Sequence, residues 1–267
     1  MEAIKKTLLA ATAAVTALVA IPAMAADLGR PVLKAPPPPP APVYTWTGCY
    51  LGGGGGYGMW NQDNFTVHEI DGLTTSSQTT TAGGRGWFGT VQVGCDYQLS
   101  GDWVIGAFAD WDFGSLRGKP ELSNSPSFGS EKQNWSWAVG GRVGYLILPQ
   151  LLAYVSGGYT QANFQGFELF FTNDGDPINL HIPAHKYNGW FIGSGYEYAL
   201  KWLPGLYWKT EYRYFQYSGA DLPIIDDTTG LATDTIWHAK KFEQTIRSEL
   251  VWRFNWGGPV GAPYYGR

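Results

Sequence analysis

The chain reads as all-β, an eight-stranded antiparallel up-and-down transmembrane β-barrel, and three observations predict it. From residue 46 onward, eight segments of period-two hydrophobicity follow one another, at 46–60, 85–99, 102–113, 133–148, 151–164, 186–202, 206–218 and 241–254. The gaps between them alternate: 61–84, 114–132, 165–185 and 219–240 are long and polar, whereas 100–101, 149–150 and 203–205 are tight turns. The composition includes 13 Trp, 16 Tyr and 36 Gly, a load that aromatic girdles at two membrane interfaces would use. Long loops on one side and short turns on the other suit a barrel whose strands cross the bilayer with roughly 9–11 tilted residues.

In chain order, the first residues are an address. Lys5 and Lys6 precede an apolar run from Leu8 to Ile21, and Pro22-Ala23-Met24-Ala25 supplies a small-residue cleavage pattern, so residues 1–25 are expected to be a signal peptide. Residues 26–44 are dominated by proline, uninterrupted from Pro36 to Pro40, and are expected to form an extended periplasmic spacer. The barrel is expected at 45–256 and a C-terminal tail at 257–267. Past the leader, no stretch is apolar and uncharged for the roughly 18 residues a spanning helix needs, which excludes a helical membrane protein. A formal charge of -4 with no basic stripe excludes nucleic acid as a partner. Two cysteines are too few for a disulfide scaffold.

The first strand position holds GCYLGGGGGYGMW, residues 48–60. A flexible linker does not fit, because aromatic, strand-like residues flank the glycines directly. A dinucleotide loop does not fit either, since Gly53, Gly55 and Gly58 lead into a polar stretch and not into a helix. Glycine recurs in the later strands, as at Gly94, Gly106, Gly140, Gly144 and Gly158. A narrow barrel with large inward side chains needs such neighbours, and glycine also permits sharp coiling.

Charge placement tests the strands, because a lipid-facing charge near the midplane costs ~2–4 kcal/mol. Along 102–113, Trp103, Ile105, Trp111 and Phe113 alternate with Asp110 and Asp112. Lys209, Glu211 and Arg213 oppose Trp208, Tyr212 and Tyr214, and Glu243, Arg247, Glu249 and Arg253 oppose Phe242, Ile246, Leu250 and Trp252. Arg142 likewise opposes Trp137 and Val139, and Glu197 opposes Trp190 and Ile192. A soluble sandwich would turn such charges to water and would not need aromatics at both ends of nearly every strand. The inward set Asp110, Arg142, Glu197, Lys209, Glu211, Arg213, Arg247 and Glu249 is predicted to form a charge network in the lumen, joined by Asp96, Asp112, Glu243 and Arg253. Eight strands enclose an interior that side chains fill, so the set reads as a plug.

Several motifs carry a resemblance: VYTWTGCYLGGGGGYG, WFGTVQVGCDYQL, WVIGAFADWDF, VGGRVGY, LLAYVSGGYT, GWFIGSGYEYAL and KTEYRYFQY. Individually loose, they fall in the same order as in the alpha-proteobacterial outer-membrane β-barrel family, the outer membrane immunogenic or porin-family proteins, and residues 43–254 resemble that family. The resemblance implies a barrel similar to the transmembrane domain of OmpA and a surface antigen of the cell envelope. In some members it extends to haem binding or envelope integrity. Two departures stand out: Cys49 and Cys95 occupy positions where aromatics are usual, and a tail follows Phe254.

Candidate chemistry is sparse. The four histidines, His68, His181, His185 and His238, all fall in the long gaps, with no strand-anchored base beside a nucleophile. His181 and His185, in HIPAH, are the weak candidates for haem or metal ligation, against the blander reading of solvated loop residues. Asp221, Asp226 and Asp227 lack the alternating ligand spacing of a calcium loop. Cys49 and Cys95 share the lipid-facing phase of the first two strands and lie about equally far from their long connection, which suits a disulfide or two free thiols facing lipid. The chain is therefore expected to be a non-enzymatic outer-membrane protein that contributes to envelope structure and presents surface loops. A small-solute porin and a haem- or ligand-binding surface protein are the alternatives. No cofactor is expected. Membrane lipids and lipopolysaccharide are the expected partners, with other envelope proteins or peptidoglycan beyond them, and both termini are expected in the periplasm.

Overall fold

A computed structural model describes residues 44–70, 73–99, 101–122 and 127–254. The expected signal peptide, the spacer up to residue 43 and the tail lie outside the described residues. Among the described residues every regular element is a strand, and no helix is long and apolar enough to cross a membrane. In chain order the strands are β1 (Gly48–Ile70), β2 (Leu73–Ser76), β3 (Thr80–Gln98), β4 (Trp103–Gly118), β5 (Glu121–Leu122), β6 (Ser127–Phe128) and β7 (Glu131–Leu148). They continue with β8 (Leu151–Phe164), β9 (Phe167–Phe171), β10 (Pro177–Ile182), β11 (His185–Ala199), β12 (Leu206–Tyr217), β13 (Ala220–Asp226) and β14 (Ala232–Phe254).

Eight of these close an antiparallel ring in the order β1-β3-β4-β7-β8-β11-β12-β14, and β14 pairs back onto β1 with Gly56 opposite Arg247. The ring strands correspond to the eight periodic segments. The tight turns are also where the spacing puts them, with Gly101 and Gly205 at φ of 98° and 92°, a left-handed backbone that favours glycine.

The long gaps require a correction, because they are not loops. β1 and β14 each run 23 residues, well beyond the ~9–11 needed to cross, and β2, β5, β6, β9, β10 and β13 continue the sheet beyond the ring. All these additions sit in the four long connections, so they stand on one side of the barrel. They enclose a second apolar core that includes Leu122, Phe167, Leu169, Leu222, Ile224 and Trp237. Each piece alternates for only two to seven residues between turn residues, too short a run to stand out as a strand in sequence.

The outer face carries an apolar band of Val91, Val93, Ile105, Val139, Val143, Val155, Ile192, Ile246 and Leu250, all exposed. Aromatic pairs rim it: Tyr57–Trp87 and Trp111–Trp135 toward the long-connection end, each with centroids 5.0 Å apart, and Trp103–Tyr145 at 5.3 Å toward the short turns. Aromatic rings suit the headgroup level, being apolar bodies with polar tips.

The glycine run divides by face. A Cβ on inward Gly54 would lie 2.0 Å from the Ser248 carbonyl oxygen, and one on Gly56 would lie 2.4 Å from that of Ile246 and 2.5 Å from the Phe88 ring. On outward Gly53 the nearest atom is 3.9 Å away. The inward glycines therefore let β14 and Phe88 approach β1 closely.

Candidate functional site: the charged lumen

Inward-facing ionisable side chains stack in layers down the bore. Nearest the short turns, Arg142 and Arg253 face Asp96 and Glu197. Arg142 donates to Asp96 at 2.9 and 2.5 Å and to Glu197 at 3.1 Å, while Arg253 reaches Glu197 at 2.6 Å and Asp96 at 2.7 Å. Two guanidinium forks and two carboxylates form a neutral square, the planar bidentate geometry that arginine supplies and lysine does not. Aromatic faces seal it: Tyr50 lies 4.8 Å from the Arg142 guanidinium, and Trp46 and Tyr207 lie 4.9 and 5.0 Å from that of Arg253.

The middle layer is larger. Arg213 pairs with Asp110 at 2.7 Å and Glu211 at 3.0 Å, Arg247 with Asp112 at 2.8 Å, and Lys209 with Glu211 and Glu249 at 3.2 and 3.3 Å. Gln92 bridges the pairs, accepting from Lys209 at 2.5 Å and donating to Asp110 at 3.2 Å. The Arg213 guanidinium is held against Phe108 and Phe191 at 5.0 and 4.8 Å. Its partner Asp110 comes from β4 and Gln92 from β3, whereas Arg213 and Lys209 are on β12, so these contacts span the bore.

Above this, Glu243 accepts hydrogen bonds from Tyr217 at 2.8 Å and Gln133 at 3.0 Å. Lys241 closes the top. It pairs with Glu131 at 2.8 Å, donates to Gln62, and is caged by Phe164, Trp60 and Tyr187 at 4.3, 4.9 and 5.0 Å and by Trp237 at 5.7 Å. A desolvated ammonium retains electrostatic partners in such a cage.

All eight residues assigned to the lumen are buried there and engaged in ion pairs, and Asp96, Asp112, Glu243 and Arg253 are buried with them. Glu131 and Lys241 were not in the predicted set. Lys241 shares the odd-numbered phase of Glu243, Arg247, Glu249 and Arg253, a signal available in the sequence. Glu131 carries no such signal, because an irregularity between Gln133 and Trp135 shifts the phase of β7: residues 131 and 133 point inward before it in the chain and 136, 138 and 142 after it.

The histidines lie in strands and not in loops, each with its own partner. His181 on β10 meets Asp227 at 2.5 Å, His238 on β14 meets Asp221 at 2.5 Å, and His68 on β1 meets the Thr235 hydroxyl at 2.7 Å. His185, the first residue of β11, sits edge-on to Tyr187 with centroids 4.8 Å apart. Burial first, and Lys241 second, lower its pKa below the ordinary imidazole value. Asp226 accepts from the backbone N–H groups of Thr228 and Thr229 at 2.7 and 3.2 Å, which lowers its pKa and ties down the turn after β13. Among the described residues no group of three or more His, Cys, Asp or Glu side chains is placed to hold a metal ion. Cys49 and Cys95 stand opposite each other in the β1–β3 register and are joined, with sulfurs 2.01 Å apart.

No family model matches the chain. It is 30% identical over 224 residues to the 31 kDa outer-membrane immunogenic protein of Brucella melitensis, covering 81% of this chain and 90% of that protein. The 25 kDa outer-membrane immunogenic protein of Brucella canis is 28% identical over 227 residues, 82% of this chain and 84% of its own. Among solved structures, the outer membrane protein OprG from Pseudomonas aeruginosa aligns over 80% of this chain and 100% of its own, at 10% identity and a TM-score of 0.48.

Proposed function

The chain belongs to the outer-membrane immunogenic protein family, and from that premise we propose a non-enzymatic barrel, closed to solute flow, that contributes to envelope structure and presents its extended sheet at the cell surface. The observation that carries this reading is the cross-lumen ion-pair network. A conducting path needs a continuous line of water, and ion pairs backed by aromatic faces cross the bore near the short turns, in the middle and at the top, through Arg142, Arg213 and Lys241. Such a lumen braces the wall from inside. Planar-bilayer conductance of the refolded protein tests it: no stable current steps are expected, and reproducible ohmic steps would put the small-solute porin reading in its place.

The short turns and both termini lie on the periplasmic side in this proposal, and the extension of β1, β14 and the additional strands stands outside. An even number of crossings returns the chain to its starting side. Protease added to intact cells should cut only within 61–84, 114–132, 165–185 and 219–240, and cleavage within 27–44 would overturn the orientation. The band of exposed apolar side chains fits lipid, the rim fits lipopolysaccharide, and the proline-rich segment fits a tether toward peptidoglycan or other envelope proteins.

A further inference from the structure

The extension sheet forms a partly open cavity of about 190 Å³ above the lumen. Most of its polar groups come from the β1 and β14 side. On one side β1 and β14 bring His68 and Thr235 opposite each other in register, the His68 Nδ1 2.7 Å from the Thr235 hydroxyl. The added strands supply Leu122, Leu169, Leu180 and Ile224, of which Leu122, Leu169 and Ile224 belong to the second apolar core. Trp237, part of that core, also faces Lys241, so the plugged lumen adjoins this core. The cavity is therefore a pocket of the extension and not the mouth of a channel.

Size and lining select the guest. A cavity of roughly 150 Å³ walled by Leu, Ile and Phe accepts a benzene-sized molecule. This one is somewhat larger and adds polar groups: His68, Thr235, Thr66 and Thr233 from β1 and β14, and Ser127 from β6. We propose that it binds a single-ring aromatic molecule carrying one hydroxyl, a phenol-class ligand, with the ring against Leu180 and Ile224 and the hydroxyl at His68 and Thr235. The proposal goes beyond the structural role argued above and does not depend on it, since a closed lumen and an occupied pocket are separate measurements.

The test is fluorine NMR of 4-fluorophenol with the full protein in lipid nanodiscs, against empty nanodiscs. Saturable broadening beyond the blank, displaced by 4-methylphenol, is expected. His68→Phe should weaken 4-fluorophenol about fivefold, the worth of one net hydrogen bond, and leave fluorobenzene unchanged. Leu180→Trp fills the pocket and should abolish binding of both. A signal that rises linearly, matches the blank and resists displacement is partition into lipid and overturns the proposal. So does undiminished binding by a Leu180→Trp protein that retains the folded, heat-modifiable gel band. Should that variant not fold, the displacement and the His68→Phe comparison decide alone, and indifference to both refutes the site.

Discussion

Replacing Arg213 with Met removes one cation from the middle of the lumen while keeping most of the apolar contact with Phe108 and Phe191. The side chain is fully buried and pairs with Asp110 and Glu211, so the substitution strands two carboxylates. Breaking a buried pair by deleting one partner costs ~3–5 kcal/mol. Here both acids keep other partners: Asp110 retains Arg247 at 3.5 Å and Gln92, and Glu211 retains Lys209 at 3.2 Å and the Ser156 hydroxyl at 2.6 Å. The expected loss is accordingly at the lower end, about 3 kcal/mol. Adding Glu211→Gln to Arg213→Met should recover part of it, because one stranded charge goes, with a coupling of about 1–3 kcal/mol between the two sites. Urea unfolding in lipid vesicles, followed by tryptophan emission and by the gel heat shift, measures both. An Arg213→Met protein within about 0.5 kcal/mol of the parent would mean that water screens the pairs, and the plug argument would fail.

Gly54→Ala should prevent recovery of the heat-modifiable form, since its Cβ would meet the Ser248 carbonyl at 2.0 Å, whereas Gly53→Ala should fold within about 0.5 kcal/mol of the parent; equal behaviour of the two would refute the crowding argument. Alkylation of the unfolded protein without reductant should add no label at Cys49 or Cys95, and two labels would mean free thiols. Cys49→Ser with Cys95→Ser should cost at most ~4 kcal/mol for a separation of 46 residues on the chain-entropy model, and less if the paired wall restrains the ends. His185 holds its proton less tightly in the fold than in the unfolded chain. Stability should therefore fall as the pH drops through the ordinary imidazole value, and His185→Gln should flatten the pH dependence of the urea midpoint there, an unchanged slope counting against the burial argument.

Much of the barrel was legible because lipid imposes a strict rule on each strand. Lys209, Glu211 and Arg213 could be assigned to the lumen without knowing any partner, since their phase is opposite Trp208 and Tyr212 and a charge toward lipid is costly. Cys49 and Cys95 could be placed on one face of neighbouring strands for the same reason, although their bonding could not be decided. The rule lapses above the membrane. There β9, β10 and β13 alternate too briefly to stand out, and the polar composition of the four connections resembles ordinary loop. Glu131 was lost where a one-residue irregularity in β7 reversed the phase.

The sequence by itself determined the eight strands of the ring, the alternation of short and long connections, which face of those strands meets lipid, and most of the charges turned inward, because period-two patterning against a hydrocarbon solvent is a local property. Only the tertiary structure decided which charge meets which: Arg213 from β12 finds Asp110 on β4, and Lys241 finds Glu131 across the top. It also decided that the long connections rise into a sheet with its own core and cavity. Those outcomes depend on how far the closed ring brings opposite walls together, a distance set by strand number, tilt and register jointly and written in no single segment of the chain.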